Sequence, residues 1–526
     1  MTQFVDVVLR GLLLVFVCVA CGGVAWTIAV LRAAPGVKPD EPTRLALRAT
    51  AVAAALGSAA QLAVGALVLL ELARHIDAAP LAAYLQTGFA RAIIVRAALG
   101  AGLALLATRL AARPGGRAAW GALAVAAIAF AASGAAVSHA ASRVTDRAWL
   151  LGLDALHHLA VAAWIGGLAH LTLYGVRARR EPAPGDALVA RRFSTLALLS
   201  VGVLVASGIA LTVSYVAEPA ALVGTAYGVM VLSKVVLLLA ILAAAAVNYG
   251  LVRRAFTGGV RARLARLVEV ELGLGITVLF AAASLTSLPP AVDVTVDRAT
   301  PAEVAARFVL APPRLSSPPV DELLRRADPL MAPPVRRFDV ERAWSEYNHH
   351  WAGVFVLAMG LLAILERVGV RAGRQWPLLL IGLAAFLFVR NDPRAWPLGP
   401  AGFWESMTLP DVLQHRAFVA LVVAFGVFEW AVRTGRLRSQ PWGLVFPLVG
   451  AVGGGLLLTH SHAMFNLKEE FLTEVTHAPL GVLGAFMGWA RWTELRLPES
   501  GPAPGWIWRI CFVAIGLLLL FYREGR

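Results

Sequence analysis

The chain of 526 residues is 59% hydrophobic and 15% charged, whereas a soluble domain carries roughly a quarter charged residues; this balance excludes a soluble globular protein and indicates an integral membrane one. The net charge of +15 does not signal nucleic-acid binding, because the basic residues are mostly Arg in short loops between apolar runs, the positive-inside pattern. Three cysteines exclude a disulfide scaffold, and the absence of a Walker loop, a dinucleotide glycine motif or a nucleophile elbow argues against ATP use and against an enzyme.

A membrane-spanning helix needs roughly 20 apolar residues. Fourteen segments meet that length, starting near Val7, Leu47, Ala92, Ala118, Trp149, Phe193, Val229, Val268, His350, Trp376, Ala417, Trp442, Ala478 and Ile507. The first, Val7 to Leu31, is too long for a signal-peptide core and has its basic residues on the far side, so it reads as a retained helix. Basic clusters follow every second span: Arg32 to Arg48 after the first, Arg109 to Arg117 after the third, Arg177 to Arg192 after the fifth. The same holds for Arg253 to Arg266 after the seventh, Arg367 to Arg374 after the ninth and Arg433 to Arg438 after the eleventh. The alternation predicts an all-α polytopic protein of the bacterial inner membrane, with about fourteen transmembrane helices arranged eight plus six and both termini periplasmic.

Residues 289–348 break the pattern. This stretch is Pro-rich and of mixed charge, and its pairs Pro289-Pro290, Pro312-Pro313 and Pro333-Pro334 favour extended structure. The expected domains are 1–288, an eight-helix membrane domain; 289–348, a periplasmic linker; and 349–526, a six-helix domain bearing histidines.

On this topology ten of the eleven histidines fall at, or within about two helical turns of, the outer side. Imidazole is the commonest metal ligand, and a site that takes up a transition metal from outside would account for that bias. In the fifth span, Asp154, His157 and His158 stand at i, i+3 and i+4, broadly on one face and roughly 8 to 13 Å below its outer end. Lys234 comes at a similar depth in the seventh. A carboxylate and an ammonium in the apolar layer are costly and normally paired, so either an Asp154–Lys234 pair or Asp154 orienting a liganding imidazole is expected. His139, at the outer end of the fourth span, is a further candidate ligand. The blander reading of the same residues is a hydrogen-bonding network that glues helices together. Gly166 and Gly167 read as close-packing positions, and Cys18 and Cys21 of a C-x-x-C on the first span read as packing residues.

Three pieces carry a family resemblance: SHA at Ser138 to Ala140, DALHHLAVAAWIGGL from Asp154 to Leu168, and SKVVLLLAILAAAAVN ending at Asn248. Together they resemble the membrane domain of the bacterial copper-resistance CopD proteins, over residues about 1–290. The resemblance implies copper movement across or into the inner membrane, beside a periplasmic copper-binding partner. It implies copper-site or pathway roles for His139, His157 and Asp154, with Trp164 packing beside them. The Met-rich segments of some copper proteins are missing, since the chain has only seven Met.

The last six spans resemble no family that we recognise, yet their polar residues are concentrated. Asn348, His349 and His350 cap the ninth span, and Arg390, Asn391 and Asp392 the tenth. His415 opens the eleventh and His477 the thirteenth, and the twelfth ends in THSHAMFN. Within that run His460 and His462 would chelate together in extended chain, and with Met464 they offer a donor set that suits copper. His75 and His415 read equally as ordinary interfacial residues.

The expected function is copper transport at the inner membrane, by uptake from the periplasm, with a role in copper resistance. The candidate ligands are His139, His157, His158, His350, His460, His462, Met464 and His477; the pathway residues are Asp154, Lys234, Trp164, Asn248 and His415. Copper is the ion bound, the lipid bilayer the environment, and a periplasmic copper-binding protein the partner. Two alternatives stand beside it: electron transfer by a b-type haem or a copper centre held by His350, His415, His462 and His477, and a non-transporting copper receptor or assembly factor.

Overall fold

The computed structural model describes residues 2–74, 80–253, 258–296, 298–326, 339–390, 392–459 and 468–524. It is all-helical in its regular structure and divides into two compact units, Met1–Val296 with Leu458–Met464, and Asp297–Leu457 with Phe465–Arg526.

The first unit contains α1 (Thr2–Ala25), α2 (Glu41–Ala73), α3 (Pro80–Leu85), α4 (Gly88–Ala112), α5 (Arg117–Ala132), α6 (His139–Ser142) and α7 (Arg147–Val161). It continues with α8 (Gly167–Arg180), α9 (Asp186–Val216), α10 (Pro219–Gly224), α11 (Ala226–Val252) and α12 (Gly258–Leu285). Helix starts follow local capping chemistry. Asp40 accepts from the Thr43 N–H at the head of α2, Thr87 from Ala90 at α4, and Thr225 from Gly228 at α11. The spans through α1 and α12 are 56% and 67% buried, against 17% for α9, so α1 and α12 form the middle of this unit and α9 its lipid-facing flank.

The fifth predicted span is one continuous run, Arg147–Arg179, but its backbone is not uniform. A π-helical turn over Ala162–Gly166 joins α7 to α8. The motif WIGGL falls on this turn because glycine lets α1 come very close: a Cβ on Gly166 would run into the Cys18 carbonyl, and one on Gly22 into the Ala162 carbonyl. π-turns of this kind mark departures from regular packing, frequently at functional sites. Cys18 and Cys21 are buried in the same contact, with Cys21 Sγ 3.3 Å from the Ala127 carbonyl.

The second unit contains α13 (Pro301–Ala306), α14 (Val320–Arg326), α15 (Asp339–Arg367), α16 (Leu379–Arg390), α17 (Phe403–Ser406) and α18 (Pro410–Arg433). It closes with α19 (Val445–Thr459), α20 (Lys468–Glu474), α21 (His477–Arg496) and α22 (Ala503–Leu520). Its core is aromatic, built on Trp376, Phe446, Trp508 and Phe512 with Met359 and Met487. Gly450 and Gly454 of α19 meet Gly484 and Gly488 of α21, two small-xxx-small faces in contact.

Thirteen helices among the described residues are long and apolar enough to cross a membrane, close to the fourteen expected; two other expectations need correction. The segment near Ala478 does form a helix of 20 residues, α21, but Arg491, Glu494 and Arg496 in its last two turns lower its apolar content. The ninth span begins at Asp339 rather than His350, so Asn348, His349 and His350 lie inside a helix instead of capping one. Asp339 and Glu341 in the first turn favour that start through the helix dipole. The stretch 289–348 is also less extended than its prolines suggest, since it holds a short turn at Ala291–Asp293, α13, α14 and the first turns of α15. Pro312 and Pro313 are without regular structure; Pro333 and Pro334 lie outside the described residues.

Candidate metal pathway

Consecutive residues on a helix point about 100° apart, and this separates the two imidazoles of α7. His157 turns to α9, where its Nδ1 lies 3.1 Å from Ser207 Oγ. Ser207 gives its own proton to the Val203 carbonyl at 2.7 Å, so His157 Nδ1–H is the donor and Nε2 keeps the lone pair. His158 turns the other way. Its Nδ1 would lie 2.7 Å from a Cβ on Gly134, beside Arg96, and has no hydrogen-bond partner among the described residues. His139 donates from Nε2 to the Leu285 carbonyl at 2.9 Å and packs edge-on to Tyr215 and Tyr227, leaving Nδ1 as its lone-pair nitrogen.

Asp154 interacts electrostatically with His157, His158, Lys234, Tyr215 and Tyr227. It makes no ion pair with Lys234 among the described residues, and its Oδ2 is buried without a hydrogen-bond partner. Neither the expected Asp154–Lys234 pair nor an Asp154–imidazole hydrogen bond is therefore formed. What α7 presents instead is two lone-pair atoms, Asp154 Oδ2 and His157 Nε2, and a buried His158 Nδ1 without a hydrogen-bond partner among the described residues. No group of three or more His, Cys, Asp or Glu among the described residues is arranged to hold a metal ion. Asp154, His157 and His158 share a helix but address different neighbours.

One buried charged residue here escaped the sequence reading. Arg96 of α4 is 4% exposed and donates to Gln61 Oε1 at 2.8 Å and Ser133 Oγ at 3.4 Å, without a carboxylate among the described residues. An arginine in the middle of an apolar span is itself the signal, since such a charge is normally functional or paired.

Below this cluster, a cavity of about 420 Å³ lies between α8, α9, α11 and α12. Trp164 and Asn248, both expected on the pathway, line it, and Glu271 joins them. Asn248 Nδ2 donates to Glu271 Oε1. His170 is buried nearby on α8 and donates from Nε2 to the Val19 carbonyl at 3.0 Å.

In the second unit His350 is a strut rather than a free ligand. Its Nδ1 accepts the Arg314 N–H at 2.7 Å and its Nε2 donates to the Tyr522 carbonyl at 2.8 Å. Both ring nitrogens are thus engaged with backbone groups. The neighbouring His349, given no role from sequence, stacks on Tyr522 with centroids 4.0 Å apart and lies 6.3 Å from the His477 ring. Its Nδ1 donates to the Ser345 carbonyl at 2.8 Å. His415 is in the second turn of α18 and exposed, close enough to affect Asp392. Burial pushes the Asp392 carboxyl up, but hydrogen bonds from the Arg394 side chain and N–H outweigh it and hold the group below the usual carboxylate range. His75, Asn391, His460, His462 and Met464 lie outside the described residues.

Comparison with known proteins bears on the first unit. Residues 187–285 match the family model of copper resistance protein D. The matched segment runs through α9, α11 and α12, and it supplies Ser207 to His157 and the Leu285 carbonyl to His139. A curated relative, the copper transport protein CutJ of Bacillus subtilis (strain 168), is 35% identical over 138 residues. That similarity covers 26% of this chain and 25% of the length of the relative. No solved structure matches.

Proposed function

We propose that this chain is a copper-handling membrane protein that takes the ion from the outer side of the bacterial inner membrane and passes it inward through the first unit. One observation carries the reading: the segment that matches copper resistance protein D is the surface on which His139 and His157 are seated. The tautomers set by Leu285 and Ser207 leave a lone-pair nitrogen on each ring. Asp154 Oδ2 and His158 Nδ1, both buried and without partners among the described residues, add two more donors four residues apart on one helix face. Imidazole nitrogens with little competing hard-oxygen chemistry favour copper over Mg or Ca. Donors offered in succession, rather than closed into a cage, suit an ion that must leave again.

In this reading His349 and His477, near the head of the second unit, form a further collection point for copper, and the sequence run His460, His462 and Met464 is a separate candidate ligand set. Both termini face the periplasm, where a copper-binding protein would deliver the ion. The haem alternative finds less support: His350 has spent both nitrogens on backbone groups and His415 is exposed on the surface.

The test is copper content after equilibrium dialysis of the detergent-purified chain, comparing wild type with an Asp154→Asn/His158→Ala variant. The variant is expected to retain fewer copper equivalents and the same helical content. Equal copper in both would overturn the assignment of these atoms.

A further inference from the structure

Most carboxylates within the spans of the first unit meet a cation. Asp6 pairs with Arg10, Glu41 with Arg177, Glu71 with Arg74, Asp186 with Arg261 and Glu269 with Arg179. Asp154 and Glu271 do not, among the described residues. Asp154 belongs to the outer donor set. Glu271 lies elsewhere, roughly 21 Å along α12 from Leu285, 3% exposed at the edge of the 420 Å³ cavity.

Its polar partner is a neutral amide, Asn248. The charged and titratable groups on the elements packed around α12 bring no cation to Glu271 among the described residues. On α8, His170 bonds to Val19, Tyr174 to Asp186, Arg177 to Glu41 and Arg179 to Glu269. On α1, Cys21 bonds to Ala127, and Cys18 beside it is buried. Of the α11 side chains, Tyr249 lines the same cavity while Lys234 is nearly four turns away along the helix. Arg192 of α9 bonds to Val30, and Arg261 of α12 pairs with Asp186. Neither these nor Arg263 and Arg266 of α12 put a cation on Glu271 among the described residues.

A carboxylate without a cation is expensive in the apolar layer, whereas the neutral acid is not. The side-chain amide serves both forms. Asn248 Nδ2 donates to the carboxylate, and Asn248 Oδ1, buried and without a partner among the described residues, can accept the O–H of the acid. An Arg or Lys there would hold only the ionised form. The cavity has room for on the order of ten waters, and Tyr249 on its wall, near the end of α11, is 42% exposed, so it reaches the surface of the unit there.

We propose that Glu271, clasped by Asn248, is a proton-exchange site whose loading and release are coupled to passage of the ion. The carboxylic O–H breaks, the electron pair stays on the carboxylate, and the proton passes to water in the cavity; uptake of a proton from the same water reverses the step. The coupling rests on the copper reading above; the exchange itself does not.

Two measurements on the full chain test this separately. Infrared difference spectra of the purified protein across a pH titration are expected to show the carbonyl stretch of a sheltered carboxylic acid, absent in Glu271→Gln. In vesicles carrying the chain and an enclosed pH dye, external Cu(I) is expected to evoke proton movement in wild type and not in Glu271→Gln, with copper binding unchanged. Should Glu271→Gln fold poorly, Asn248→Leu keeps the carboxyl and is expected to shift the infrared midpoint. No Glu271-dependent carboxyl band, or equal copper-evoked proton movement in wild type and Glu271→Gln, overturns the proposal. Wild-type vesicles that take up no copper defeat the transport reading and with it the coupling, while the infrared result still decides the exchange.

Discussion

His350 and Asp154 illustrate how two buried polar side chains of similar appearance in sequence differ once their atoms are traced. His350 ties the segment at Arg314 and the chain end at Tyr522 to α15 through both ring nitrogens. His350→Ala is therefore expected to destabilise the second unit by about 2 to 3 kcal/mol, since two backbone groups lose a partner, while leaving copper stoichiometry unchanged. Thermal unfolding alongside metal analysis checks both, and a lost copper equivalent would make His350 a ligand after all. Residue-scale electrostatics also gives a pH dependence outside the membrane spans. The Lys468 ammonium at 2.7 Å, with Thr300 closing the capping box, brings the Glu303 carboxyl down to about 2. A carboxyl lower in the folded than in the unfolded state stabilises above its unfolded value, and that contribution disappears as pH falls through about 2. Wild type is thus expected to lose more thermal stability on acidification than Glu303→Gln. Parallel melting curves of the two against pH would show the contact to be idle.

At the scale of elements, the spans were legible because length and alternating loop charge are direct consequences of the bilayer. What was not legible has a physical cause in each case. The π-turn at Ala162–Gly166 arises from the approach of α1, which no periodicity within the span records. The early start of α15 rests on amphipathic turns that an apolar-length rule cannot see. Spacing put Asp154, His157 and His158 on one broad face, but only the neighbouring helices decide that His157 goes to Ser207 and His158 toward Gly134. In α21, charges that reduce its apolar length form a network. Glu494 accepts from Arg367 at 3.0 Å, Arg509 at 3.2 Å and Trp508 at 2.7 Å, and also from Arg491. Arg433, among the rings of Trp376, Phe446 and Trp508, pairs with Glu429 and Glu366. Removing one member leaves the others buried and unpaired, so Glu494→Gln is expected to cost about 3 kcal/mol. Tryptophan fluorescence during unfolding reads this directly, because Trp508 is in the network; an unshifted transition would mean that water already satisfies the charges.

The whole molecule comprises two compact all-helical units. The first matches the family model of copper resistance protein D over residues 187–285, and His139 and His157 hydrogen-bond to that segment. The second gathers His349, His477 and Tyr522 at one end of an aromatic core. Copper handling at this scale is a matter of flux, so binding alone does not establish it. The decisive measurement is uptake of isotopically labelled copper into vesicles reconstituted with the full-length chain, beside protein-free vesicles and the His157→Ala variant. The account predicts uptake that saturates with copper in wild type and falls toward the protein-free rate in the variant. Wild-type uptake equal to that of protein-free vesicles, with copper still bound to the protein, would contradict transport and leave a copper receptor.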